Sequence, residues 1–229
     1  MELSRFERVT WRINAIIILA CGLLALVLML IVGYRLFQDI FRTREVTSVV
    51  NVNPETKESE FLRLGGFSRI SGTQLLASGL VASQDYRQSY YSKTGSSTRN
   101  YLFLDSTTKA THWLLDGNGS LILNDRELYA DPATDSSRRT TTALLYEVVK
   151  QDSNGDSRLT TDDQLTVMLF TVASKRVVEL LTVKGEVFGM EQLSSNEAMI
   201  FYRDDSSHYV ATLDIAAAKI VLKTPLPAL

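Results

Sequence analysis

Thiols are nearly absent. The 229-residue chain has one cysteine, Cys21, and it sits inside an uncharged apolar run, so the remainder has no thiol to pair or to protect. Proline is scarce too. Only 4 are present, while valine, threonine, tyrosine and leucine recur in short runs, a composition that points to strands. Two histidines, His112 and His208, leave few routes to acid–base or zinc chemistry. There is no Walker loop and no glycine-rich dinucleotide turn. Net charge is close to zero at −2, and six arginines against three acids fall in residues 1–44. The rest therefore carries 18 basic and 23 acidic side chains. A mildly acidic domain binds phosphate backbones and anionic leaflets poorly, which argues against nucleic acid as a partner.

What is present begins with a membrane-length segment. Ala15 to Tyr34 (AIIILACGLLALVLMLIVGY) is uncharged and long enough to cross a hydrocarbon core of roughly 30 Å. Trp11 and Arg12 precede it, and Tyr34 and Arg35 close it, as interfacial anchors do. A cleaved leader would have a shorter apolar stretch. Ile18-Leu19-Ala20-Cys21 has the form of a lipoprotein processing box, yet uncharged residues continue well beyond Cys21. An uncleaved anchor is the favoured reading. Flanking charge does not orient it: Arg5, Arg8 and Arg12 on one side balance Arg35, Arg42 and Arg44 on the other.

The expected organisation is a short cytoplasmic tail over 1–13, a transmembrane helix over 14–36, a juxtamembrane linker over 37–60 with a turn at Asn53-Pro54, and a β-domain over 61–229. Strands are predicted at 73–83, 100–106, 111–115, 144–150, 164–172, 176–183, 197–204, 208–215 and 219–224. Turn clusters separate them at KTGSSTRN, DGNGS, SSN and RDDSS. The fold class is mainly β, antiparallel, behind a single N-terminal helix.

A weak repeat runs through these strands. NYLFLDSTTKATHWLL (100–115), TVMLFTVASKRVVELL (166–181) and HYVATLDIAAAKIVLK (208–223) each give a strand, a turn near Asp105, Val172 or Asp214, a lysine (Lys109, Lys175, Lys219), and a second strand. FSRISGTQLLASGLVAS (67–83) and FGMEQLSSNEAMIFYRD (188–204) match upstream of the first and third. The unit resembles the four-stranded blade of a β-propeller. Three such units fall short of the usual 4–8, so either residues 45–60 supply strands of a fourth or the sheets stack as an open sandwich.

The chemistry concentrates in QDSNGDSRLTTDD, residues 151–163. A twelve-residue loop can deliver hard oxygen ligands from positions 1, 3, 5, 7, 9 and 12. Counted from Asp152, those positions are Asp152, Asn154, Asp156, the carbonyl of Arg158, Thr160 by its hydroxyl or a water, and Asp163. Leu159 stands at position 8, where an apolar side chain pins such a loop to a core. This spacing resembles the EF-hand calcium loop, and its aspartate ending is similar to the dockerin variant, which implies one Ca2+. Position 6, normally glycine, is Ser157, and Gly155 falls early. A low-affinity loop of this kind fills where calcium is millimolar, outside the cytoplasm. With the apolar span and a thiol-free domain, that suggests a single-pass bacterial inner-membrane protein with its C-terminal domain in the periplasm.

Catalysis is not expected. His208 stands near Ser206, Ser207, Asp204 and Asp205, but neighbours on a strand face opposite ways and no G-x-S-x-G elbow is present. The expected role is an accessory or scaffold subunit of a larger envelope complex, with integral membrane proteins as partners and lipid contacted through 14–36. The alternatives are an envelope sensor or regulator that binds a ligand through the β-domain, and, less favoured, an envelope hydrolase.

Overall fold

A computed structural model describes residues 5–40, 50–51, 61–85 and 94–227. The chain divides into two compact units, Met1–Glu45 and Val46–Leu229, each of which is taken by itself. The first holds one helix, α1 (Arg5–Ile40). Its stretch Trp11–Tyr34 is long and apolar enough to cross a membrane, and none of it is buried. Its apolar residues have no polar face opposite them, so the helix has no preferred side to turn towards a protein core. The turn expected at Asn53-Pro54, and most of the expected linker, lie outside the described residues.

The second unit is antiparallel β. Its strands are β1 (Val50–Asn51), β2 (Phe61–Leu64), β3 (Ser68–Arg69), β4 (Leu75–Asp85), β5 (Thr94–Asp105), β6 (Thr111–Trp113), β7 (Leu121–Tyr129) and β8 (Thr141–Val149). There follow β9 (Arg158–Leu159), β10 (Leu165–Thr171), β11 (Arg176–Val183), β12 (Val187–Gln192), β13 (Glu197–Asp204), β14 (Ser207–Asp214) and β15 (Lys219–Pro225). Hydrogen bonding gives a two-stranded sheet of β1 and β9, a nine-stranded sheet, and a four-stranded sheet of β12 to β15. The nine-stranded sheet folds over at the β5–β7 junction into two layers, called sheets I and II here, with the four-stranded one as sheet III. Sheet I contains β2 to β6, with β2 and β3 both on β4, and β6 on β5. Sheet II runs β7-β8-β10-β11, and sheet III runs β12-β13-β14-β15. One bridge, Thr98 to Ile122, joins sheets I and II at an edge.

Two apolar layers hold the stack. Ile70, Leu75, Phe103, Tyr146, Met168 and Phe170 fill the space between sheets I and II. Leu145, Val167, Leu169, Ile200, Ala211 and Leu213 fill that between II and III. β8 and β10 contribute alternate residues to both layers, which is why LLYEVV and LTVMLF read as continuous apolar runs instead of alternating. Phe103 and Phe170 lie parallel with ring centroids 4.2 Å apart.

The repeat has a backbone signature. Lys109 (φ 62°), Lys175 (φ 54°) and Ala218 (φ 51°) are left-handed, each four residues beyond the last residue of β5, β10 or β14. The third turn therefore places Ala218, not Lys219, at the position of Lys109 and Lys175. In the first turn the Asp105 carboxylate accepts bonds from the amides of Thr107 and Thr108, and in the third Asp214 accepts one from Ala217.

Three sequence expectations change. The run KTGSSTRN is strand from Thr94 onward, pairing back to Asp85 on β4. β7 was not anticipated: its centre, NDRE, is polar, and it is bulged at Ile122/Asn124 and at Leu128/Tyr129, which breaks the period of two. Of residues 45–60 only Val50 and Asn51 are described, and they pair with Leu159 and Arg158 as a separate two-stranded sheet.

Candidate metal-binding loop

Residues 150–164 connect β8 to β10, the two central strands of sheet II. Leu159 is fully buried in the layer between sheets II and III, as an apolar position 8 requires. The pairing of β9 with β1 fixes the loop's midpoint on a second segment of chain. Ser157 takes φ 63° and Gly155 φ 81°. The sharp bend expected of a glycine at position 6 is thus made by Ser157, itself left-handed, with Gly155 sharing the turn.

Two carboxylates approach each other at the loop's neck. The Asn154 amide donates to Asp152 Oδ1 at 3.2 Å and to Asp163 Oδ1 at 3.3 Å. Asp152 also accepts from the amides of Gly155 (2.6 Å) and Ser157 (2.7 Å). Partial burial raises the Asp152 carboxyl, but the amides of Gly155, Ser157, Asn154 and Asp156 outweigh it and hold it below its ordinary range. Asp163, only 2% exposed, accepts from the Ser153 amide (2.7 Å), the Ser153 hydroxyl (3.1 Å) and the Thr160 amide (2.9 Å).

The remaining expected ligands turn inward on the loop. Asn154 Oδ1 accepts from the Asp156 amide, Asp156 Oδ1 from the Arg158 amide, and Thr160 Oγ1 from the Asp162 amide. Arg158 lies on β9. Among the described residues no group of three or more His, Cys, Asp or Glu side chains gathers in metal-binding geometry. The donor set is nonetheless of one kind. Every candidate side chain offers a hard oxygen. Asp152 Oδ2, Asp156 Oδ1 and Asp163 Oδ2 accept one amide each and keep a further lone pair, whereas Asp152 Oδ1 and Asp163 Oδ1 already serve two and three donors.

Elsewhere, polar groups enter the core as closed pairs. The Tyr101 hydroxyl donates to Asp125 at 2.9 Å, and its ring tilts against Tyr146 at 5.3 Å. Burial pushes both phenols upward in pKa, and Asp125 adds to it. Glu147, on β8, is 8% exposed and accepts a bond from Asn124; burial raises its carboxyl despite that bond. His208 packs edge-on against Phe188 at 5.7 Å, and His112 lies over Phe170 at 6.2 Å. An open cleft of ≈ 520 Å³ runs beside β15, lined by Glu179, Leu180, Ile220 and Lys223.

The two outer faces of the stack carry apolar side chains to the surface. On sheet I, Leu62, Leu64 and Trp113 are exposed, the last by 39%. On sheet III, Phe188 and Leu222 are exposed by 50% and 59%, and Phe188 rests near Phe201 at 6.4 Å.

No known protein family matches the chain, and no curated protein matches it. Among solved structures it is similar to the β-propeller domain of the Trilobed protease from Pyrococcus furiosus. That match has a TM-score of 0.40 and 11% identity, over 73% of this chain and 43% of that one. It is also similar to a luciferin-regenerating enzyme, with a TM-score of 0.35 and 11% identity over 79% and 64% of the two chains. The chain thus spans less than two thirds of the length of either structure.

Proposed function

We propose that this chain is a membrane-anchored binding module, an accessory or scaffold subunit of a larger envelope complex. In this reading α1 spans a bacterial inner membrane, the β-unit stands in the periplasm, and one calcium in the 152–163 loop braces the central sheet. The observation that carries the docking role is the apolar surface on both outer faces of the stack, since contiguous exposed apolar faces mark interaction sites. Purification of the full chain from mildly solubilised membranes should bring integral membrane proteins with it. Recovery of the chain without any partner, at every detergent and salt condition, would sink the docking role.

Calcium supports that role by stiffening the link between β8 and β10. Asp152, Asn154, Asp156 and Asp163 supply side-chain oxygens, Arg158 its carbonyl, and Thr160 its hydroxyl or a water. A cation there replaces the mutual repulsion of clustered carboxylates with attraction. Binding to the folded state alone stabilises it by about 2.7 kcal/mol when calcium exceeds Kd a hundredfold. Chelation should lower the Tm of the full chain accordingly. Asp156→Ala should abolish that sensitivity, because the Asp156 side chain braces only the local Arg158 amide. Equal Tm in calcium and in chelator would reduce the loop to a polar turn.

A further inference from the structure

The repeat assigns each residue of the outer hairpins a direction along the stack. Counting back from the last residue of β5, β10 and β14 aligns Leu104 with Phe170 and Leu213, and Leu102 with Met168 and Ala211. Phe170 and Met168 pack in the layer between sheets I and II, and Leu213 and Ala211 in that between II and III. Positions of this set face the preceding sheet. The complementary set aligns Phe103 with Leu169 and Thr212, and Tyr101 with Val167 and Val210. Phe103 with Tyr101, and Leu169 with Val167, face the following sheet.

Sheet I therefore presents, through the half-buried Leu102 and Leu104, a face that in sheets II and III is covered by a preceding sheet; further along the same face Ser78, Leu80 and Ala82 are already buried. Trp113, directly opposite Leu102, and Leu76, opposite Leu104, extend that face. Sheet III presents, through Val210 and Thr212, the face that in sheets I and II is covered by a following one. Phe201 and Leu222, paired with Val210 and Thr212, extend it in turn. Among the described residues neither face meets a further sheet. The two open faces are the two halves of an interface that the chain already makes twice internally.

We infer that the occupant of each face is a second copy of this chain: sheet III of one copy stacks on sheet I of the other, at both ends. The inference rests on reading the β-unit as a docking module. Two such contacts close a ring of six sheets, within the 4–8 for which stacked four-stranded sheets close around an axis. The contact is head-to-tail, and a closing rotation turns it into a finite pair instead of a filament.

The test uses the full chain in detergent with Cys21→Ser, so that no native thiol competes. Sheets stack about 10 Å apart, which puts positions 102 and 212 of a single chain roughly 20 Å apart on opposite faces. Leu102→Cys and Thr212→Cys proteins are made separately and treated with a short thiol–thiol cross-linker. Their mixture should yield a species of twice the chain mass, and each protein alone should stay single. Light scattering should give two chains per particle, falling to one with Val210→Lys while the near-UV spectrum is kept. A single chain per particle at all concentrations overturns the inference. So does cross-linking by either variant alone, which signals a face meeting itself. A different protein seated on the same faces of a single-copy chain overturns self-pairing and leaves the docking reading intact; a chain that is single and partnerless in membranes overturns both.

Discussion

Sheets II and III are built on the same plan and bury their residues differently. In sheet II, β8 and β10 are inside on both faces, so eight of the nine residues of TTALLYEVV are buried, all but Thr142. In sheet III, β13 alternates between buried Ala198, Ile200 and Tyr202 and less buried Met199, Phe201 and Arg203. β15 is exposed at five successive positions from Val221. The difference lies in neighbours, not in strand chemistry. A sheet with another on each side loses the period of two, whereas an inner strand of an end sheet such as β13 keeps it, and the edge strand β15 is exposed on both faces. The outer face of sheet III nonetheless carries Met199, Phe201, Val210 and Leu222 beside charged Glu191 and Arg203, and the proposed docking role rests on those apolar side chains.

That contrast predicts unequal responses to truncation. Phe170 is fully buried and stacked on Phe103. Phe170→Ala removes an aromatic pair from the layer between sheets I and II and should cost about 3–5 kcal/mol. Leu222→Ala, on the outer face of sheet III, should cost within about 0.5 kcal/mol in the separated chain. Denaturant titration of the two variants checks the ratio. Similar losses would mean that the outer face is covered within the single chain.

The next effect lies in the loop that hangs from the central strands. The Asp163 carboxylate is buried and takes bonds from three backbone amides, of Ser153, Asn154 and Thr160. Asp163→Ala leaves those amides unpaired, and about 2–4 kcal/mol should go with them. The loss should persist in chelator, because the amide bonds stand independently of any cation. A loss confined to calcium-loaded protein would show that Asp163 acts only as a ligand.

Glu147 sets sheet II apart in another way. It is the one carboxylate on β8, and burial raises its pKa above the unfolded value. A raised carboxyl binds its proton more tightly when folded, so its contribution is favourable at acid pH and fades as pH rises through the folded pKa. Glu147→Gln should accordingly raise Tm at pH 8 and change it little near pH 4. Asp152 has the opposite sign: its carboxyl is lowered, so the stability it confers is present at neutral pH and lost as pH falls through its folded pKa. Tm measured against pH for Glu147→Gln and Asp152→Asn separates the two, and parallel profiles would refute both assignments.

Much of this architecture was legible from residues alone. The apolar helix, the antiparallel β class and the strands at 176–183 and 197–204 follow directly from charge-free length and from runs bounded by turn residues. The blade-like unit was visible because its outer hairpins share length and the order strand, turn, lysine, strand; the left-handed φ in each turn was not. β7 was hidden because two bulges and a polar centre erase its period, and with it went one edge strand of the middle sheet. KTGSSTRN looked like a turn because glycine and serine favour turns, yet pairing along eleven positions of β4 holds it as strand. In the loop, Leu159 as the anchor was readable from spacing. The amide cage around Asp163 was not, since no pattern of residue types specifies which carboxylate the backbone will turn towards. Nor did Ser157 announce that it bends left-handed, because glycine two positions earlier drew the turn towards itself.

The smallest effect concerns the turn that sheets II and III share. Lys175 and Ala218 both hold a left-handed φ, which costs a residue with a Cβ about 1–2 kcal/mol. Glycine relieves that cost and adds about 0.5–1 kcal/mol of lost chain entropy. Ala218→Gly should therefore stabilise by about 0.5 kcal/mol, less whatever its methyl gives to the layer between sheets II and III, against which it packs. Lys175→Gly should gain less or nothing, because Lys175 Nζ reaches Asp105 at 3.4 Å and ties the turn of sheet II to that of sheet I. Salt distinguishes the two: raising ionic strength should close the gap between the variants by weakening that ion pair. A gap that stays constant with salt would mean that packing of the lysine stem, and not its charge, links the turns.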